Sequence, residues 1–386
     1  RNGAMNCVKE VVEDALRGHR RRRTAVLLLL ILLTLLVLFS GKVRQRIIRR
    51  RMDKKEEIRL ESDQLLEWLQ RNGGQAESIA IRQFDHGGEK VRGVGASSSI
   101  RRGQELLRVP RSLFLAPGKK AGLEQQEVTL AAEIAKQFQL GSDGQYERYL
   151  QALPGREELD GLHPFYASNE DLVLFSDIPY VSAIRKKRTV LRDAWLKHKN
   201  GDSASSSFDW EGDFDWPEFL HAFILQLSRR MRIVLPAEKG GTSEETIALV
   251  PIIDMINFCG SKEAANVELK LVDDGDALVV VSKRSINEGE ELLLYAAAAE
   301  QKKKENGALV YQYGVMMGDN DVPSQQLEKD VCESLESAIH EIHGRKDQKH
   351  KIRMLFSALV YECCQDTHSV RDPSILSAKP IRTSGS

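Results

Sequence analysis

The sequence predicts an α+β fold in which two groups of short β-strands flank a long helical segment, with further helices towards the C-terminal end. Short apolar runs bounded by glycine and proline lie in residues 78–109 and again in residues 246–295. Helical periodicity dominates between them, and strands do not alternate with helices as a parallel βαβ sheet requires. A length of 386 residues allows a large core and a smaller appended unit.

The N-terminal region predicts a single membrane anchor. Residues 24–41 are eighteen consecutive uncharged residues, nine of them leucine, which is enough for a short transmembrane helix. A basic tail, residues 1–23, precedes this segment, and a basic juxtamembrane helix, residues 42–75, follows it. The alternative is a cleaved signal peptide, which the length of the basic tail disfavours.

The charges around the anchor predict its orientation. Eight lysine and arginine residues follow it by residue 55, against five in the last seven residues before it, which places the body of the protein on the cytosolic face. The basic stretch 42–55 either binds anionic lipid headgroups or only stops translocation, and the sequence favours neither interpretation.

The body begins with the first β-rich part, predicted over residues 76–117. Strands are expected over residues 78–84, 93–96 and 105–109. A helical insert is predicted over residues 118–245, with helices expected over residues 124–139, 146–153, 181–199 and 217–231.

The second β-rich part is predicted over residues 246–318. Strands are expected over residues 246–251, 266–271, 277–282 and 291–295. Residues 319–386 predict a short, polar helical region that ends in a tail rich in serine, threonine and glycine.

The composition excludes several function classes. Lysine plus arginine and aspartate plus glutamate both number 56, so no nucleic-acid partner is expected. With 41% hydrophobic and 29% charged residues, the chain is not a polytopic membrane protein. Five cysteines without CxxC spacing predict reduced intracellular thiols, with neither a disulfide framework nor a metal site: Cys7, Cys259, Cys332, Cys363 and Cys364.

Four segments, taken in order, resemble the SET-domain protein methyltransferases. They are residues 92–113 (RGVGA to VPRSL), 227–229 (LSR), 250–257 (VPIIDMIN) and 286–295 (INEGEELLLY). The helical insert between the two β-rich parts is typical of the group similar to the Rubisco large-subunit lysine methyltransferase, which includes the actin-histidine methyltransferase. Residues 306–314 resemble the closing segment of that domain.

The resemblance implies a cofactor, S-adenosyl-L-methionine, and a reaction without a metal. It implies that Gly93, Arg229, Asn257 and Phe258 bind the cofactor, with Asn257 at its amino-acid end. Each also has a purely structural interpretation, such as a tight turn for Gly93 or a helix salt bridge for Arg229. Asp254 is expected to brace the turn before Asn257 rather than to touch the ligand.

The resemblance also implies the chemistry. A lysine or histidine nitrogen of a protein substrate attacks the cofactor's methyl group in line, with the reacting atoms held about 3–3.5 Å apart. Tyr295 matches the catalytic tyrosine, and Tyr313 matches a second tyrosine near the substrate channel. A core position is the structural interpretation of both.

Three departures from the family pattern bear on activity. Val91 stands at the first glycine of Gly-x-Gly, Phe258 replaces the usual histidine, and a run of four alanines, residues 296–299, follows Tyr295. They keep a second hypothesis open, that of a catalytically impaired SET scaffold that binds a partner protein at the membrane. A third is an unrelated, membrane-tethered helical adaptor.

Overall fold

The structure, a computed structural model, describes residues 61–86, 89–117, 122–201, 212–236, 243–259, 262–295, 306–314, 325–342 and 350–364. It contains both helices and strands in the predicted order, which confirms the α+β class. The predicted anchor, residues 24–41, lies outside these ranges. None of the helices within them is long and apolar enough to cross a membrane.

The first β-rich part follows a helix, α1, that runs from residue 61 to 71. Its strands are β1 (Gln75–Ala76), β2 (Ile79–His86), β3 (Glu89–Ala96) and β4 (Glu105–Pro110). β2 and β3 form an antiparallel hairpin in which Ile79 pairs with Ala96 and His86 with Glu89. Ile79 and Ile81 are buried because alternate residues of a strand point to the same face.

The helical insert packs around one central helix. Its helices are α2 (Leu123–Leu140), α3 (Glu147–Gln151), α4 (Arg156–Asp160), α5 (Asn169–Leu174), α6 (Pro179–Lys199) and α7 (Trp216–Arg229). A capping box between Asp215 and Glu218 starts α7, and a proline stands in its first turn. Every residue from 219 to 227 is buried, so α7 forms the centre of this layer and packs against α2.

The second β-rich part contains β5 (Met231–Leu235), β6 (Glu244–Ala248), β7 (Asn257–Cys259), β8 (Val267–Val272), β9 (Ala277–Ser282) and β10 (Leu293–Tyr295). A four-stranded antiparallel sheet has the order β1-β4-β9-β8, so both β-rich parts contribute to one sheet. β7 and β10 pair in parallel. The antiparallel hairpin of β5 and β6 is an addition, because no strand is predicted over residues 231–235.

The C-terminal region consists of α8 (Asn306–Tyr313), α9 (Lys329–Ile342) and α10 (His350–Cys363). The expectation that all cysteines are reduced is wrong, because Cys332 and Cys364 form a disulfide. Because α9 packs against α10, the Cα atoms of the two cysteines lie 5.9 Å apart, which allows the bond. The two cysteines are 32 residues apart in sequence. Cys259 and Cys363 keep their thiols, and Sγ of Cys259 donates to the Leu294 carbonyl oxygen at 3.3 Å.

A buried ion pair joins the C-terminal region to the insert. Nε of Arg353 on α10 lies 3.2 Å from Oδ1 of Asp171 on α5, and both residues are buried. Because a buried charge without a partner is costly, this pair fixes where α10 lies against the insert.

Candidate functional site

The site is built over a glycine in β3. A Cβ atom at Gly93 would lie 2.6 Å from Nδ2 of Asn257 and 2.7 Å from Oε1 of Glu291. Both distances are too short for a side chain to be added without displacing these groups. Gly93 therefore allows two polar side chains from distant parts of the sequence to approach the backbone of β3.

Asn257 is the centre of a hydrogen-bond network at this glycine. Its Nδ2 donates to the carbonyl oxygen of Arg92 at 3.2 Å and to Oε1 of Glu291 at 2.7 Å. The other carboxylate oxygen of Glu291 lies 3.0 Å from Nε2 of His86, and the two side chains are only 12% and 16% exposed. Three elements, the β2–β3 hairpin, β7 and the segment before β10, therefore meet at one point.

The parallel pairing of β7 and β10 brings two further predicted residues to this place. Asn257 pairs with Leu293 in register, and Tyr295 pairs with Cys259, so Tyr295 stands two positions along the same ladder. Tyr295 is half-buried at the end of β10. Phe258 is 46% exposed, which is unusual for a large apolar side chain, and it stands next to Asn257.

Arg229 connects to the site through the turn that precedes β7. Its Nη1 lies 3.4 Å from both the carbonyl oxygen and Oδ2 of Asp254, and the Tyr149 hydroxyl donates to the same Oδ2 at 2.8 Å. Burial raises the pKa of the Asp254 carboxyl, and the guanidinium of Arg229 and the Tyr149 hydroxyl counteract that rise. Asp254 thus braces the turn, in agreement with the role expected for it.

Burial also raises the pKa of Tyr149 well above its usual value, so its hydroxyl stays protonated and acts as a donor. Oδ1 of Asp254 is buried and has no hydrogen-bond partner among the described residues. The turn therefore keeps one buried acceptor, Oδ1, on the carboxyl group that contacts Arg229. The side chain of Arg229 is only 18% exposed.

Tyr313 lies on a different element from the other predicted site residues. It ends α8, which packs against α6, α7 and the turn formed by residues 164–166. Gly314 follows it with a φ of +69° and lies against His163. The structure therefore brings Gly93 and Asn257 into contact and places Tyr295 two positions further along the ladder. Phe258 follows Asn257 in β7, and its side chain points to the opposite face. Arg229 contacts the turn before β7 through Asp254, and Tyr313 lies among the helices.

Two departures from the family pattern can be placed. Val91 is half-buried, pairs with Phe84, and lies two positions before Gly93, so both are on the same face of β3. Phe258 offers an apolar ring where the family has a histidine. The alanine run 296–299 lies outside the described residues.

The sequence interpretation did not assign a role to Glu291 or His86. Glu291 is part of the segment INEGEELLLY, and a carboxylate two residues before a short strand at a predicted site was the available signal. His86 gives no such signal, because its contact with Glu291 spans 205 residues and depends on the twist and length of the β2–β3 hairpin. Tyr149 lies in the insert and also reaches the site only through folding.

The arrangement fits the amino-acid end of S-adenosylmethionine, which carries an ammonium and a carboxylate group. A carboxylate and a carbonyl oxygen meet above Gly93, and the guanidinium of Arg229 contacts the Asp254 turn that precedes β7. Within the described ranges, no three histidine, cysteine or acidic side chains are placed to hold a metal ion.

No family model and no curated protein matches this chain. Solved structures do match at 18% identity. The SET domain of LSMT bound to lysine and AdoHcy has a TM-score of 0.49 and covers 66% of this chain and 57% of its own. Rubisco LSMT bound to AdoMet has a TM-score of 0.49, and the match covers 71% of this chain and 63% of that protein. Rubisco LSMT bound to sinefungin and monomethyllysine has a TM-score of 0.47. This chain spans less than two thirds of their length.

Proposed function

We propose that this chain is an S-adenosylmethionine-dependent protein N-methyltransferase that acts on a lysine side chain, with histidine as the alternative acceptor. The observation that carries the proposal is the convergence above Gly93. Asn257 and the strand that carries Tyr295 reach this point from more than 160 residues away, and they are the residues that the SET resemblance selects.

Each residue of the site would have one role in holding the cofactor. Asn257 and Arg229 would bind the amino-acid end, and Gly93 would allow its close approach to the backbone. When bound, S-adenosylmethionine supplies an electrophilic methyl group whose transfer releases a neutral thioether. A side chain larger than hydrogen at residue 93 would displace the polar groups that surround this end.

Tyr295 is the proposed catalytic residue. Its position at the end of β10, two positions along the ladder from Asn257, suits a hydroxyl that orients the substrate nitrogen. A lysine amine must arrive neutral and without its hydration shell, so the reaction depends on exclusion of water and on alignment. Tyr313, at the end of α8, is proposed to line the substrate side of the site, where α8 packs against the helical insert.

The proposal includes a single membrane anchor, residues 24–41, with the body on the cytosolic face. The excess of basic residues after the anchor supports this orientation. The cysteines no longer support it, because the disulfide between Cys332 and Cys364 is typical of an oxidising compartment. Protease protection of the body in sealed vesicles tests the orientation, and complete protection would reverse it.

The activity is tested with the full chain in detergent, S-adenosylmethionine labelled in its methyl group, and a protein extract as substrate. Tyr295→Phe should lower turnover strongly and leave cofactor affinity nearly unchanged, because the hydroxyl acts on the substrate nitrogen. Equal losses in turnover and affinity would assign Tyr295 to the core. A chain that binds the cofactor but modifies nothing would support the impaired scaffold instead.

A further inference from the structure

The amide of Asn257 occupies an unusual position in the structure. Its Nδ2 donates to two acceptors at once, the Arg92 carbonyl oxygen at 3.2 Å and the Glu291 carboxylate at 2.7 Å. Neither acceptor can donate, so the NH₂ end of the amide must face them. A nitrogen donor thus lies between a carboxylate and a carbonyl oxygen. It lies directly above Gly93, where any added side chain would occupy the same space.

We propose that Glu291 is the residue that recognises the α-ammonium group of the cofactor. The inference rests on the proposed function. An ammonium has three donors and needs acceptors around it, and the carboxylate of Glu291 and the carbonyl of Arg92 are two acceptors already in position. Rotation of the Asn257 amide would present its oxygen as the third.

His86 is the positioning residue for this carboxylate. Its Nε2 lies 3.0 Å from Oε2 and 3.3 Å from Oε1 of Glu291, so it contacts both oxygens of the carboxylate that accepts from Asn257. The backbone of Glu291 is fixed as well, because Nδ2 of the buried Asn266 donates to its carbonyl oxygen at 2.7 Å. The negative charge is therefore held in place before any ligand arrives, which lowers the cost of ordering it on binding.

The low exposure of the carboxylate makes its charge effective. The side chain of Glu291 is 12% exposed, and an ion pair that is shielded from water is stronger than the same pair at the surface. A hydrogen bond to a charged group is worth about 10- to 100-fold in affinity, which is about 10-fold more than a neutral one. The loss of affinity caused by removing the charge of Glu291 alone should therefore be measurable.

The test compares two ligands by calorimetry with the full chain in detergent. S-adenosylhomocysteine carries the ammonium, and its deaminated analogue lacks only this group. The unaltered chain should prefer the first by about 10- to 100-fold. Glu291→Gln, which keeps the shape but removes the charge, should lower this preference about 10-fold, because a neutral hydrogen bond replaces a charged one. Glu288→Gln removes the same charge from an exposed position three residues earlier and should keep the full preference.

The outcomes separate this inference from the proposed function. A chain that binds neither ligand refutes both. Glu291→Gln with an unchanged preference places the ammonium elsewhere, and equal weakening of both ligands makes Glu291 a structural brace; either result overturns the inference. Should the glutamine variant fail to fold, as checked by circular dichroism, Glu291→Asp keeps the charge at a shorter reach. It should then show a reduced preference, and a full preference overturns the inference.

Discussion

Two buried histidines make the fold sensitive to acid. His163 and His221 are 3% and 8% exposed, and burial lowers the pKa of each to about 4. The neutral ring of His163 uses both nitrogens, since Nδ1 accepts from the Phe165 backbone N–H and Nε2 donates to the Gln312 carbonyl oxygen, each at 3.4 Å. Protonation of Nδ1 would turn the first contact into a repulsion between two donors.

The sign and size of the effect follow from the pKa values. In the unfolded chain the pKa of each histidine returns to 6.5, so the unfolded state binds more protons between pH 6.5 and pH 4. The contribution of each ring to stability is intact above pH 6.5 and falls as the pH drops towards 4. At about 1.4 kcal/mol per pKa unit, each histidine costs about 2 kcal/mol between pH 7 and pH 5.

The assay is urea unfolding of the full chain in detergent at pH 8, pH 7 and pH 5. His163→Gln keeps one acceptor and one donor but cannot titrate, so its loss of stability from pH 7 to pH 5 should be smaller than that of the unaltered chain by about 2 kcal/mol. His221→Gln should show the same reduction. From pH 8 to pH 7 the free energy of unfolding of the three proteins should change by the same amount. An equal loss at pH 5 in all three would refute the reasoning.

Three further predictions concern the site and the C-terminal region. Gly93→Ala should destabilise the chain by about 1–3 kcal/mol in urea unfolding and weaken cofactor binding at least 10-fold, because the new Cβ enters the polar network. Asp171→Asn should lower the free energy of unfolding by about 3–5 kcal/mol, because it removes the carboxylate that pairs with the buried guanidinium of Arg353. Reduction of the Cys332–Cys364 disulfide should cost about 3–4 kcal/mol by the chain-entropy relation for a loop of 32 residues.

Matched variants make these predictions decisive. Gly155→Ala adds a Cβ with nothing within 4 Å and an ordinary φ of −69°, so it should leave cofactor binding unchanged and cost at most about 1 kcal/mol through the weaker helix N-cap. Glu67→Gln breaks an exposed ion pair with Arg71 and should cost about 0–1 kcal/mol. A Gly93 variant that behaves like Gly155→Ala, or an Asp171 variant that behaves like Glu67→Gln, would contradict the packing described. Reductant should have no effect on stability once Cys332 is replaced by serine.

Much of the fold could be predicted, because local pattern determined it. Strand β9 has the predicted bounds, and the predicted helix 124–139 is found as Leu123–Leu140. The strand over Met231–Leu235 was missed, because its five residues directly follow a buried helix and carry no turn signal of their own. Its partner lies beyond residues 237–242, and only tertiary pairing with β6 makes it a strand.

The site shows the same limit. Gly93 and Asn257 could be predicted because the resemblance assigns their positions, but the contact between them depends on how β3 approaches β7. His86 and Glu291 meet across 205 residues, and no local pattern encodes such a distance. The disulfide was missed for the same reason, since spacing in sequence says nothing of two helices that pack side by side.

The central claim is that the polar network above Gly93 binds the amino-acid end of S-adenosylmethionine. The most direct measurement is calorimetric titration of S-adenosylhomocysteine into the full chain in detergent, with Asn257→Ala alongside. We expect micromolar binding by the unaltered chain and about 10-fold weaker binding by the variant, which loses one hydrogen bond to a charged group. A folded chain that binds no ligand, or a variant that binds as tightly as the unaltered chain, would contradict the account.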